Sequence, residues 1–121
     1  MAVKHYKELI VWQKAMEVAE QAYRLVRLLP KEETYALSDQ IRRSAISIPS
    51  NIAEGQSRNS SKEFMKFLSI AKGSAAELET QLLLAVRIGY LSEAAISPTI
   101  ELITEVVKII NTLHSKLTTN H

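Results

Sequence analysis

Apolar side chains recur every three or four residues along almost the whole chain, and no stretch alternates with period two for long. This spacing is that of helices with one buried side, and it leaves no segment from which to build a sheet. At 100° per residue, the segment from Val11 to Leu29 divides into two faces. Trp12, Ala15, Met16, Val18, Ala19, Ala22, Tyr23, Leu25 and Val26 share one, and Gln13, Lys14, Glu17, Glu20, Gln21, Arg24 and Arg27 share the other. Pro30 closes this helix, because the residue before a proline is pushed out of the helical region.

A second helix is expected from Ser38, a residue suited to capping, to about residue 56. Its stripe is Leu37, Ile41, Ala45, Ile48 and Ile52. Pro49 lies inside this run and removes one backbone hydrogen bond, which predicts a kink rather than a break. Gly55 is placed to end the helix in a left-handed conformation. The third helix, 61–89, opens on Ser60-Ser61-Lys62-Glu63, the pattern of a capping box. It carries Phe64, Phe67, Leu68, Ala71, Ala75, Leu78, Leu82, Ala85 and Val86 on one side and ends at Gly89. Gly73, unfavourable in mid-helix by about 1 kcal/mol relative to Ala, suggests the close approach of another helix.

The fourth helix is expected over 97–117, with Ser97 as cap and Pro98 in the first turn. Ile96, Ile100, Leu102, Ile103, Val106, Val107, Ile109, Ile110, Leu113 and Leu117 cover about half its circumference, wider than the roughly 100° stripe of an ordinary surface helix. Such a helix packs against two neighbours or against another subunit. Four helices in 121 residues predict one all-α domain, an antiparallel up-down four-helix bundle. On the third helix Ile70, Leu84 and Ile88 lie away from the core stripe, with Met65 and Leu83 on the other flank. Aligned apolar residues of this kind mark an interface. Ile70, Leu84 and Ile88 are the candidates for contact between copies, with the outer part of the fourth helix as a second choice.

Composition narrows the chemistry. Hydrophobic residues make up 46% of the chain, which excludes wholesale disorder. With no cysteine, disulfides, thiolate zinc sites and cysteine nucleophiles are excluded. Neither a membrane span nor a signal-peptide core is legible, so a cytoplasmic protein is expected. None of His5, His114 and His121 follows a glutamate by three residues, so the di-metal motif of ferritin-like bundles is missing. Lys72-Gly73-Ser74 lacks the preceding glycine of a phosphate loop, and Ser69-Ile-Ala-Lys72 lacks the companion motifs of acyl-transfer enzymes. No enzyme, metal, cofactor or small-molecule substrate is expected.

The net charge of +2 is a weak basic bias. A nucleic-acid reading rests on Arg42, Arg43, Arg58, Lys62, Lys66, Lys72 and Arg87. Of these Arg42, Arg43, Arg58, Lys62 and Lys66 are the candidates for phosphate contact, and Glu54, Glu63, Glu77 and Glu79 stand near enough to neutralise part of the charge. Three alternatives stay open: a purely structural oligomer, an RNA-binding ring and an enzyme without a recognised motif.

VWQKA at 11–15, QIRRSA at 40–45, SIPSNIAEG at 47–55 and EFMKFLSIAKGSAAELETQL at 63–82 follow one another at distinctive intervals. Over roughly residues 6–117 the chain resembles the bacterial four-helix bundle proteins, also called the 23S ribosomal RNA intervening-sequence proteins. The resemblance implies a small antiparallel bundle that assembles as a homopentamer, has no enzymatic activity and partners itself, with RNA or a nucleic-acid enzyme as a further partner. It also implies kinship with the accessory variability protein of diversity-generating retroelements, from which this chain departs in being far less basic. Within the shared motif Pro49, Asn51, Glu54 and Gly55 are expected to be structural. Asn51 and Glu54 are expected to hydrogen-bond across the turn to Arg58, Ser60 or backbone amides.

Overall fold

The computed structural model describes residues 5–119. Its long helices are α1 (Ile10–Val26), α2 (Leu37–Gln56), α3 (Ser61–Ile88) and α4 (Glu93–Thr119), with single 3₁₀ turns at Tyr6–Glu8 and Lys31–Glu33 and no strand among the described residues. Helix α1 packs on α2 and α4, and α3 packs on the same two, while the diagonal pairs stay apart. This is a four-helix bundle in which each element lies beside the next in sequence. The core runs down its axis through Val11, Val18, Ile41, Ile48, Ile52, Leu68, Leu78, Leu82, Ile103, Val106 and Ile110. Each such side chain contributes roughly 1.5–3 kcal/mol by leaving water.

Helix α3 follows its sequence signals closely. The Ser60 hydroxyl accepts the Glu63 amide at 3.2 Å. At the other end Gly89 takes φ 98°, and the Gly89 and Tyr90 amides close on the Ala85 carbonyl. Residues with a Cβ rarely adopt that φ, so the glycine sets the helix end.

The other helices depart from expectation at their ends. Helix α1 stops at Val26 rather than 29, because the amides of Arg27, Leu28 and Leu29 shift to carbonyls three residues back. Its buried stripe is Val11, Ala15, Val18, Ala22 and Leu25, and Met16 and Tyr23 are exposed. Ser38 does not cap α2. It is buried, and the Glu33 carboxylate takes the capping place by accepting the Leu37 amide at 3.1 Å. Helix α2 continues through Pro49 to Gln56. Helix α4 begins at Glu93, four residues before the expected start, because the Ser92 hydroxyl accepts the Ala95 amide at 3.1 Å. Pro98 then sits inside the helix at the loss of one backbone bond. Ile96 in the extra turn and Thr99 after it are buried, and the Thr99 hydroxyl donates to Gln21 of α1 at 2.7 Å.

Two glycines depart from their expected roles. Gly73 faces open space. At Gly55, a buried residue without positive φ, an added Cβ would lie 2.7 Å from the Phe67 Cβ and 3.1 Å from the Phe64 Cδ1. Gly55 is therefore a point of close approach between α2 and α3. The left-handed residue of the following turn is Asn59, at φ 56°.

Candidate functional site

The α2–α3 contact contains a seam of small polar side chains. Ser44 donates to Gln81 at 2.7 Å, Ser74 donates to Ser47 at 2.7 Å, and the Asn51 amide donates to the Ser47 carbonyl and hydroxyl at 2.8 and 2.9 Å. Asn51 thus bonds back along its own helix rather than across the turn. Glu54 does reach Arg58, at 2.7 Å. Among the described residues no buried side-chain nitrogen or oxygen lacks a partner, so the seam is satisfied as it stands, as a structural contact must be. A second clamp joins the opposite turns: Glu33 also accepts the Tyr90 hydroxyl, at 2.9 Å. That hydrogen bond raises the Tyr90 pKa above its ordinary value, helped by burial and by the charges of Glu33 and Glu32.

Three of the five expected phosphate contacts are already engaged. Arg42 donates to the Thr34 carbonyl at 3.0 Å and ties α2 to the preceding turn. Arg43 pairs with Asp39 at 2.9 Å. Arg58 pairs with Glu54, lies 4.0 Å from Glu63 and stands over the Phe67 ring at 5.2 Å. Lys62 and Lys66 are exposed on α3, with no ion pair to any described residue.

The register of the α3/α4 hairpin shows what surrounds these lysines. Thr118 meets Met65, and Lys72 shares a cleft with Asn111, so residues 64–76 of α3 lie alongside residues 106–119 of α4. Neither stretch contains an Asp or Glu; between them they carry Lys66, Lys72, Lys108 and Lys116. Lys72, Lys108 and Lys116 are missing from the five candidates read from sequence. The signal for them was present as two acid-free runs, but only the antiparallel register brings the runs together. At the centre lies a cleft of about 290 Å³ lined by Ser69, Lys72, Ile110, Asn111, His114 and Ser115. His114 is half-buried in its wall. His121 lies outside the described residues. Among the described residues no group of three or more His, Asp or Glu side chains is placed to hold a metal ion, and no helix is long and apolar enough to cross a membrane.

The apolar candidates separate in the same way. Ile70, Leu84 and Ile88 are 44%, 46% and 50% exposed, and Leu83 is similar, whereas Met65 is half-buried against Thr118. The second choice, the outer part of α4, is not exposed. Ile100, Val107, Ile109, Leu113 and Leu117 pack against the core, because α4 is flanked by both α1 and α3 and its broad stripe serves both contacts.

No curated protein matches this sequence. A crystal structure from Bacteroides thetaiotaomicron, described as a protein with unknown function from the S23 ribosomal protein family, superposes with a TM-score of 0.80 at 30% identity, covering 87% of this chain and 98% of that one. The model of the 23S rRNA-intervening sequence proteins matches residues 7–112. With nearly all of its bundle inside that match, the chain belongs to the 23S rRNA-intervening sequence protein family.

Proposed function

We propose that the protein is a non-catalytic cytoplasmic scaffold that assembles with copies of itself and contacts the phosphates of structured RNA. The observation that carries the RNA contact is the acid-free pairing of residues 64–76 of α3 with residues 106–119 of α4. Its cations have no carboxylate between them, so each is available to displace a counterion from a phosphate. A pair such as Arg43–Asp39 gains far less from a phosphate, since it must first give up its own partner. Assembly uses the exposed row of Ile70, Leu84 and Ile88, and the family resemblance implies a pentamer. A ring multiplies a modest patch, because phosphate contacts add with every charge engaged.

A second reading, a purely structural homo-oligomer without affinity for nucleic acid, is favoured by the internal pairing of Arg42, Arg43 and Arg58. Native mass spectrometry with and without a 23S ribosomal RNA fragment separates the two. The proposal expects a multiple-chain mass that gains RNA at low salt. A multiple-chain mass without RNA supports the second reading, and a single-chain mass at micromolar concentration contradicts both.

A further inference from the structure

We propose that the α3/α4 cleft seats one nucleotide of a single-stranded RNA segment, with Lys72 on the phosphate and Asn111 and His114 on the base. The inference rests on the RNA reading above and adds to it a place and a form of RNA. The cleft holds about 290 Å³, at the lower edge of the roughly 300–1,000 Å³ of small-ligand sites. That is room for one nucleotide rather than for a duplex. Its floor is the buried Ile110, and its wall is the half-buried imidazole of His114, a flat ring of the kind on which unstacked bases rest.

The polar groups suit a nucleotide better than a carboxylate. Asn111 both donates and accepts, which is what the edge of a base requires. Ser69 brings a hydroxyl within the same cleft, where it can meet the ribose 2′-hydroxyl. An acidic peptide would be met most strongly by a guanidinium fork, and no arginine lines the cleft. Lys72 is the one cation in the lining and has no ion pair among the described residues. Lys66 and Lys108 lie beyond the cleft on the same acid-free stretches, where they can accept the phosphates before and after the seated one.

The test is fluorescence anisotropy with a short, labelled, mixed-sequence single-stranded RNA. The proteins are the intact chain and the surface variants Lys72→Gln, Asn111→Ala and Lys66→Gln, with circular dichroism confirming their folding. Lys72→Gln should weaken binding about tenfold and lower the salt slope by about 0.7, the share of one phosphate on a single strand. Asn111→Ala should weaken binding about fivefold or more and leave the slope unchanged, because it removes a base contact and no charge. Lys66→Gln should lower the slope by a similar amount with a smaller loss of affinity.

Binding by the intact chain that Asn111→Ala leaves untouched, with Lys72→Gln no worse than Lys66→Gln, overturns the cleft while leaving the RNA reading standing. No binding of the single strand by the intact chain at about 50 mM salt overturns the cleft, and failure to bind the 23S ribosomal RNA fragment as well overturns the RNA reading. Displacement of the RNA by an equal concentration of nucleoside monophosphates, or of an acidic peptide, assigns the cleft to a free nucleotide or to a protein and overturns the RNA seat.

Discussion

The two halves of the α3/α4 hairpin are built from the same helices and carry opposite charge. Residues 77–105, around the turn at Gly89, include Glu77, Glu79, Glu93, Glu101 and Glu105 with Arg87 as their one cation. The half away from the turn has five lysines, Lys62, Lys66, Lys72, Lys108 and Lys116, and a single carboxylate, Glu63, which lies 4.0 Å from Arg58. Folding alone accounts for the gradient on α4, whose acids lie toward its N-terminus and whose lysines lie toward its C-terminus, the order a helix dipole favours. On α3 the order is reversed beyond the capping Glu63: Lys62, Lys66 and Lys72 occupy the N-terminal half, and Glu77 and Glu79 follow. Helix stability gains nothing from that arrangement. Bringing the lysines of both helices to one end is useful to a partner that carries negative charge.

The contrast breaks most completely when the basic half is made acidic. Lys66→Glu with Lys72→Glu should reduce RNA affinity by about two orders of magnitude near 50 mM salt, while the melting temperature hardly moves, since neither lysine has an internal partner to lose. Next comes the packing beneath that half. Gly55→Val forces a side chain against Phe67 and Phe64 and should destabilise the protein by about 1–3 kcal/mol in chemical denaturation.

Around the acidic half the expected effect is smaller. Tyr90→Phe removes the hydroxyl bond to Glu33 and should lower the melting temperature slightly. Because the folded state raises the Tyr90 pKa, that contribution is complete below the tyrosine's unfolded value near 10. It disappears as the pH rises through the higher folded value. Thermal melts of the two proteins should therefore differ at neutral pH and converge in strong alkali. Smallest is Gly73→Ala, which adds a methyl into open space on the helix and should stabilise the protein by up to about 1 kcal/mol.

What could be read from the chain divides by the range of the interactions. Helix α3 was legible at both ends because its signals are local: Ser60 and Glu63 three residues apart, and a glycine where a left-handed residue is needed. The start of α2 was not, because its cap is Glu33, reached through a 3₁₀ turn. Periodicity likewise shows which side of a helix is buried but not where along its length two helices meet, so Gly73 was expected to make the contact that Gly55 makes. The pairing of Arg43 and Arg58 within their own helix was within reach, since Asp39 and Glu54 stand four residues before them at helical pairing distance. The cleft was not, since Lys72 and Asn111 are distant in sequence and become neighbours only through the register of two antiparallel helices.

Ultraviolet crosslinking of bound single-stranded RNA, followed by peptide mapping, tests the polarity of the hairpin most directly. Crosslinks should fall within 62–76 and 106–119 and spare 77–105. Crosslinks centred on 77–105, or spread evenly over both halves, would contradict the assignment of RNA contact to the lysine-bearing end.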